Sequence, residues 1–381
     1  MRCRRMRILA RKIFNRLAAI VLPRLRGQDA LATAGKACPE RSRRDAGATN
    51  ANGARMETNL MRFRFWLFMS FVVMLGMMGS SRAQKKSRGF ELEGISPEFW
   101  EVVDHNAKLE TVAAGFGFTE GPMWDPAGFL YVSDEEINKI FKVGPDGRKE
   151  ELITLGDPDG NTFDRQRRLI DCASVLRAII EVTPDGKYKI LADHYEGKKF
   201  NSPNDVIVGP DGALYFTDPT LDLVAGEKQE IPFQGVYRLG DDGAVRLLTK
   251  DLSQPNGLAF SLDGKRFYVD DSEKRTIRVY DVAGDGSLVN GRIFGEEPGG
   301  KGDGVPDGIK VDKTGNLYVT GPKGIWVWDS SGHHLGTIAL PEQPANLAWG
   351  DTDYRTLYIT ATTSLYRLRM KVRGYVPYLE H

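Results

Sequence analysis

Four polar residues occupy equivalent places in a repeated pattern and have the chemistry of a cation site. Glu120, Asn204, Asn256 and Asp307 each precede a short apolar segment of the kind that forms a β-strand. Two carboxylates and two amide oxygens are hard ligands, and two negative charges offset a divalent ion. The set predicts one bound Ca²⁺, with Mg²⁺, Mn²⁺ or Zn²⁺ as alternatives, although Zn²⁺ more often takes His or Cys.

A plainer explanation exists for three of these residues. Asn204, Asn256 and Asp307 each follow a proline, and such sequences are common in turns, where the side chain binds the backbone. Glu120 is not a turn-forming residue, yet it stands at the same place in the pattern. The shared position therefore favours one site built from several strand starts.

The repeat itself predicts the architecture that brings these strand starts together. A turn containing glycine, followed by an apolar-aromatic strand, recurs six times. Marker residues in successive copies are 39, 45, 53, 50 and 40 positions apart: Leu130, Leu169, Leu214, Phe267, Leu317 and Leu357. Each interval holds four short strands, which is one propeller blade. The sequence predicts an all-β fold, a six-bladed β-propeller with four-stranded antiparallel blades.

The innermost strand of each predicted blade is the segment before the turn, and its start faces one mouth of the central channel. Side chains from different blades then converge on the propeller axis. When the copies are aligned on their turns, the second copy begins at Gly160-Asn161 and the sixth at Pro344-Ala345. This alignment places no acidic residue at the strand start of the second blade.

The front of the chain differs from the rest. Residues 61–83 combine an arginine-bearing start, an apolar run and small residues before Ala83, which predicts a secretory signal peptide; an uncleaved anchor is the alternative. Residues 1–60 are a basic leader, interpreted as an over-extended gene start, with a basic targeting segment as the alternative. Residues 84–109 form an N-terminal lead-in, and 110–381 the propeller. We expect an exported protein, periplasmic or extracellular, without stable membrane insertion after cleavage.

Charge and cysteine content exclude some classes of function. Residues 1–60 hold 14 Lys and Arg against 4 Asp and Glu, so residues 84–381 carry a net charge of about −12. A body that acidic repels a phosphate backbone, which argues against nucleic acid as a partner. Cys172 is the single cysteine after residue 83, so no disulfide framework is expected.

Short motifs in the body resemble the gluconolactonase / senescence marker protein (regucalcin) family. They are Phe118–Pro122, Asn201–Asp205, Tyr215–Pro219, Phe233–Arg238, Pro255–Leu258 and Pro306–Gly308. Each is weak alone, but their order and spacing together are specific. The resemblance covers roughly residues 110–370 and implies a six-bladed propeller that hydrolyses sugar lactones to the open-chain acid.

The resemblance also implies roles for individual residues. Glu120, Asn256 and Asp307 match the metal ligands of the family, and Asp307 matches the proposed catalytic acid/base. Asn204 matches an asparagine that contacts substrate or water. Ser202, two positions earlier, stands where many sugar lactonases carry an arginine. Asn204 and Ser202 are the predicted substrate-binding residues.

Two classes of function follow from this sequence. The first is a metal-dependent lactonase acting on a small-molecule lactone, in which the metal polarises the carbonyl and an aspartate moves the proton. The alternative is a non-catalytic propeller that binds a ligand or a protein, since one fold hosts many functions. Retention of both Glu120 and Asp307 favours the enzyme. A Gly-x-Ser-x-Gly elbow is absent, so a serine-hydrolase mechanism has no support.

Overall fold

The computed structural model describes residues 89–380, which form almost entirely short antiparallel strands. The predicted leader and signal peptide lie outside the described residues. Strand bounds in chain order are β1 (Glu91–Gly94), β2 (Glu110–Ala114), β3 (Thr119–Asp125), β4 (Phe129–Asp134), β5 (Lys139–Val143), β6 (Lys149–Thr154), β7 (Pro158–Phe163), β8 (Leu169–Ala173), β9 (Ala178–Val182), β10 (Tyr188–Ala192), β11 (His194–Tyr195), β12 (Lys198–Lys199), β13 (Val206–Val208), β14 (Leu214–Asp218), β15 (Gly235–Leu239), β16 (Val245–Thr249), β17 (Pro255–Phe260), β18 (Arg266–Asp271), β19 (Thr276–Val282), β20 (Leu288–Glu296), β21 (Ile309–Val311), β22 (Leu317–Gly321), β23 (Gly324–Trp328), β24 (His334–Ala339), β25 (Pro344–Gly350), β26 (Thr356–Ala361) and β27 (Ser364–Arg369). Helix α1 spans Phe99–Val102, and a 3₁₀ turn, η1, spans Pro377–Leu379.

The strands pair into six sheets that follow one another along the chain. Blade 1 is β3–β6, blade 2 is β7–β10, blade 3 is β13–β16 and blade 4 is β17–β20. Blade 5 is β21–β24 with β1 added at its edge, and blade 6 is β25–β27 with β2 as its fourth strand. β11 and β12 form a small separate ribbon. The predicted six-bladed propeller of antiparallel blades is confirmed.

The N-terminal part of the described chain closes the ring. β2 pairs with β27, so the first and last strands of the propeller share blade 6. β1 pairs with β24 and gives blade 5 a fifth strand, which the sequence did not predict. Phe99 of α1 is fully buried. The predicted lead-in therefore adds one strand to blade 5 and the buried side chain of Phe99 to the core.

Aromatic pairs fill the space between neighbouring blades. Trp124 of blade 1 stacks on Tyr358 of blade 6, with ring centroids 5.5 Å apart. Tyr215 of blade 3 meets Phe260 of blade 4 edge to face at 4.9 Å. Such pairs add about 0.5–1.5 kcal/mol to the free energy of burying their area. They explain why an aromatic residue recurs in the second strand of most copies.

The segment after β27 crosses the channel at the end opposite the strand starts. The amide of Tyr375 donates to the carbonyl of Val311 in blade 5, at 2.9 Å. The hydroxyl of Tyr378 donates to the carbonyl of Trp124 in blade 1, at 3.3 Å, and its ring meets Phe163 of blade 2. We call residues 371–380 the C-terminal plug. An apolar cavity of about 60 Å³ lies between this plug and the strand starts.

Among the described residues, no helix is both long enough and apolar enough to cross a membrane.

Candidate functional site

The innermost strand of each blade begins at a position that we call the strand-start slot. In blades 1, 2, 4 and 6 the pairing register shifts at or just after this slot. A register shift of this kind is a β-bulge, which turns a side chain out of the sheet and is common beside active sites. Glu120, Asn204, Asn256 and Asp307 all occupy the slot.

The slot in blade 2 belongs to Asp159, which the sequence alignment missed. Pro158 pairs with Ala173 and Asn161 with Asp171, leaving Asp159 and Gly160 in the bulge. Pro255 and Leu258 flank Asn256 in the same way in blade 4. Alignment on the turn had placed Asn161 in the slot, two residues after Asp159. The signal was present in the sequence, because Asp159-Gly160 matches Asn256-Gly257 as an acid or amide followed by glycine.

Asp159 connects two of the predicted site residues. Its Oδ2 accepts a hydrogen bond of 2.6 Å from Nδ2 of Asn204. One carboxylate oxygen each of Glu120, Glu135 and Asp159 lie within 4.8 Å of one another. Because the amide nitrogen of Asn204 is bound to Asp159, the amide oxygen is the group that Asn204 can offer to a cation or substrate.

Asn256 and Asp307 form the other side of the site. Asn256 provides a hydrogen bond to Asp307. Its Nδ2 also lies 3.3 Å from the hydroxyl of Ser272, and that hydroxyl donates to the carbonyl of Pro306 at 2.7 Å. Ser272 therefore joins the strand starts of blades 4 and 5. Asn256 is buried, while Asp307 is partly exposed.

Burial and mutual repulsion dominate the electrostatics of these acids. Burial, and to a smaller extent the charge of Asp205, raise the pKa of Glu120 to about 8, against a hydrogen bond from Gly121 that lowers it. The amide of Gly121 donates to Oε2 of Glu120 at 2.9 Å. Burial, followed by the charges of Glu120 and Asp205, raises the pKa of Asp307. Burial also raises the pKa of Asp159, with Glu135 and Glu120 next.

These groups fit a hard divalent cation. Several carboxylates share one mouth of the channel and raise one another's pKa, which is the condition that a bound cation relieves. The donors are oxygens from acids and amides, as Ca²⁺ and Mg²⁺ prefer. Two overlapping sets share Glu120: the predicted one with Asn256 and Asp307, and the acidic one with Glu135 and Asp159. The roles assigned from sequence stay predictions.

Ser202 is placed differently from its predicted role. Its side chain is fully buried, and its hydroxyl donates to the carbonyl of Pro219 at 2.7 Å. The same hydroxyl accepts from the amide of Asp222 at 3.2 Å. Ser202 thus anchors the loop between β14 and β15, whose Asp222 is close enough to raise the pKa of Asp159 and Asp307. Its contact with substrate stays a prediction.

Comparison with known proteins places the fold and the slot residues in one family. Residues 118–363 match the family described as the SMP-30/gluconolactonase/LRE-like region. The chain belongs to this family. All the slot residues, from Glu120 to Asp307, fall inside the matched range, and the predicted resemblance is confirmed.

Proteins named as lactonases are among the relatives of this chain. A gluconolactonase of Zymomonas mobilis is 33% identical over 327 residues, covering 78% of this chain and 92% of its own. A pentonolactonase of Haloferax volcanii is 30% identical over 251 residues, covering 63% of this chain and 80% of its own. The structure of a gluconolactonase of Xanthomonas campestris superposes with a TM-score of 0.68 at 33% identity, covering 73% of this chain and 94% of that one.

Proposed function

We propose that this protein is a cation-dependent lactonase that opens a sugar lactone to the free acid. The observation that carries the proposal is the proximity of Glu120, Asn256 and Asp307 at one channel mouth in a chain whose relatives include a gluconolactonase and a pentonolactonase. A purely structural propeller needs no cluster of buried acids, because burying a carboxylate without a partner is costly.

Glu120, Asn256 and Asp307 would hold the cation, with Ca²⁺ favoured by an all-oxygen donor set. A cation held there supplies Lewis acidity toward the lactone carbonyl. Asn204 orients the substrate through its amide oxygen, since its nitrogen is bound to Asp159. Orientation of this kind raises the reaction rate, because it holds the reacting atoms in the geometry that the reaction needs.

Asp307 is the group that moves the proton. It takes a proton from the attacking water and returns it to the ring oxygen that leaves as the alkoxide. Burial and the neighbouring acids raise the pKa of Asp307 in the cation-free protein, and a bound cation would lower it again, leaving a carboxylate that can accept a proton from water. Its partial exposure also gives water access to the carboxylate.

The substrate class that fits this mouth is an uncharged polyhydroxy lactone. Once a divalent cation has displaced their protons, Glu120, Glu135, Asp159 and Asp307 together carry more negative charge than the cation offsets, which disfavours a phosphorylated or carboxylated lactone. Hydroxyl groups of a neutral sugar lactone supply donors to these carboxylates. Gluconolactone is the first candidate, because relatives in the family are named for it.

We further propose that the protein acts after export, in the periplasm or outside the cell. The basis is the sequence of residues 61–83, which has the composition of a secretory signal peptide.

A panel of neutral and anionic lactones tests the activity directly. We expect acid release, followed with a pH indicator, on neutral aldonolactones, loss of the rate after chelation and recovery with Ca²⁺. Anionic lactones of the same ring size serve as matched controls and should react far more slowly. Hydrolysis that is absent, or that survives chelation undiminished, contradicts the proposal and favours a binding propeller.

A further inference from the structure

The position after the strand-start slot distinguishes two opposite blades. It is glycine in blades 1, 2, 4 and 5, but Asp205 in blade 3 and Asn346 in blade 6. Blades 3 and 6 face each other across a six-bladed ring. Nδ2 of Asn346 lies 3.5 Å from Oδ2 of Asp205, although the residues are 141 positions apart in sequence. Both side chains are buried, so this contact spans the channel below the slot.

Neighbouring glycines provide the room for this contact. A Cβ on Gly160 of blade 2 would lie 2.4 Å from Oδ1 of Asp205. A Cβ on Gly308 of blade 5 would lie 2.4 Å from Oδ1 of Asn346. Since real Cβ atoms do not approach so closely, Asp205 and Asn346 each require glycine at the facing position of the preceding blade. The two halves of the ring thus repeat the same arrangement.

Lys310 fixes the orientation of the Asn346 amide. Nζ of Lys310 donates to Oδ1 of Asn346 at 3.1 Å, and the amide of Leu347 donates to the same oxygen at 2.8 Å. Two donors on Oδ1 require Nδ2 to face the acids. Both carboxylate oxygens of Asp205 also have partners, because Oδ2 faces Asn346 and Oδ1 accepts a hydrogen bond from the amide of Val206 at 2.9 Å. A fully satisfied buried network of this kind is rigid.

The network reaches Glu120. Asn346 contributes a hydrogen bond to Glu120, and the charge of Lys310 acts on both Glu120 and Asp205. We propose that Asp205, Asn346 and Lys310 form a cross-channel bridge that positions Glu120 for the cation and makes the floor of the pocket. They are positioning residues, since they act through Glu120. The inference rests on the proposed cation site and adds the residues that hold it in shape.

Calcium affinity of purified variants tests the bridge without relying on activity. Asn346→Leu keeps the branched shape of the side chain but removes its hydrogen bonds with Asp205, Glu120 and Lys310, and we expect Ca²⁺ affinity, measured by calorimetric titration, to fall about 10- to 100-fold. Lys310→Met removes the donor to Oδ1, and we expect a loss of about 10-fold, while Lys310→Arg retains most of the affinity. Crystal structures of the two weakened variants should show the Glu120 carboxylate turned from its present position.

Lys313→Met is the matched control. Lys313 lies in the same blade, is partly exposed and pairs with Glu380 at 2.5 Å, away from the slot. We expect it to bind Ca²⁺ as the wild type does. Wild-type affinity in both Asn346→Leu and Lys310→Met, with Glu120 unmoved, overturns the bridge even when lactone hydrolysis is found. Weakened binding in these variants, with no lactone hydrolysed by any protein, supports the bridge and refutes the lactonase instead.

Discussion

Glu120 is a ligand candidate that carries a proton before the cation arrives. Burial raises its pKa to about 8, so at pH 7 the carboxyl is mostly protonated in the cation-free protein. A cation binds the carboxylate and must displace that proton. Binding therefore becomes tighter as the pH rises toward about 8 and changes little above it.

Proton release on Ca²⁺ binding measures this coupling. We expect calorimetric titrations at pH 7, in buffers with different ionisation enthalpies, to show net proton release. Glu120→Gln should bind more weakly and release fewer protons, because the amide has no proton to lose. Binding without proton release in the wild type would contradict a raised pKa at Glu120.

Residue types at the slot were predictable from sequence, and residue contacts were not. Glu120, Asn204, Asn256 and Asp307 could be found because each stands at the same place in a local repeat. Asp159 was missed because the copy in blade 2 was aligned on Asn161, and the β-bulge between Pro158 and Asn161 is not visible in the sequence. The bridge between Asp205 and Asn346 has no local signal, since it depends on which blades face each other across the ring.

At the scale of single elements, three blades share one contact. In each, an aspartate at the end of the second strand binds the loop that precedes the innermost strand. Asp134 accepts from the amides of Gly117 and Phe118, and Asp218 accepts from the amide of Asn201 at 2.9 Å. Asp271 does the same for the loop before Asn256. These loops lead directly into the slots, so the aspartates set where the inner strands begin.

Asp218 makes this anchor dependent on pH. Burial raises its pKa to about 8, against an unfolded value of about 3.9, and its Oδ1 has no hydrogen-bond partner within the described chain. The folded state therefore holds a proton that the unfolded state releases. Its contribution to stability is complete below pH 4 and is lost as the pH rises toward 8.

Asp218→Asn tests this assignment, because the amide oxygen can still accept from Asn201 but cannot ionise. We expect urea unfolding to show that the free energy of unfolding of the variant rises relative to that of the wild type between pH 5 and 8.5, by up to about 4 kcal/mol. Asp211→Asn, at a partly exposed turn position, is the control and should show no such trend. A stability difference between Asp218→Asn and wild type that is constant with pH would contradict the raised pKa.

Strand content was predictable because each blade repeats its turn and its aromatic strand, but strand partners beyond the repeat were not. β1 has no counterpart in the other blades, so no repeat pointed to it. It pairs with β24 from the far end of the chain, with Glu91 opposite Ala339. Pairing across that separation is decided by the exposed edge of blade 5, which only the folded ring presents.

At the scale of the whole molecule, the two ends of the propeller channel differ. One end carries the slot residues, and the C-terminal plug covers the other. The C-terminal plug joins blades 5, 1 and 2 at the end away from the slots, and Tyr378 is nearly fully buried there. Substrate therefore enters, and product leaves, by the mouth that carries the slot residues. The plug contributes to stability without touching the site.

Tyr378→Ala separates these two roles. We expect the free energy of unfolding to fall by about 3 kcal/mol, because a buried ring and its hydrogen bond to Trp124 are lost. Activity per folded molecule, measured well below the unfolding temperature, should equal that of the wild type. A fall in kcat with unchanged stability would place the plug within the catalytic machinery.

One measurement tests the central claim most directly: Ca²⁺ is titrated into chelated protein while bound cation and the initial rate of gluconolactone hydrolysis are followed in the same sample. We predict that both rise together to saturation at one cation per chain, and that Asp307→Asn shows no recovery of rate. Full activity in the chelated protein, or cation binding that leaves the rate unchanged, would contradict a cation-dependent lactonase at this mouth.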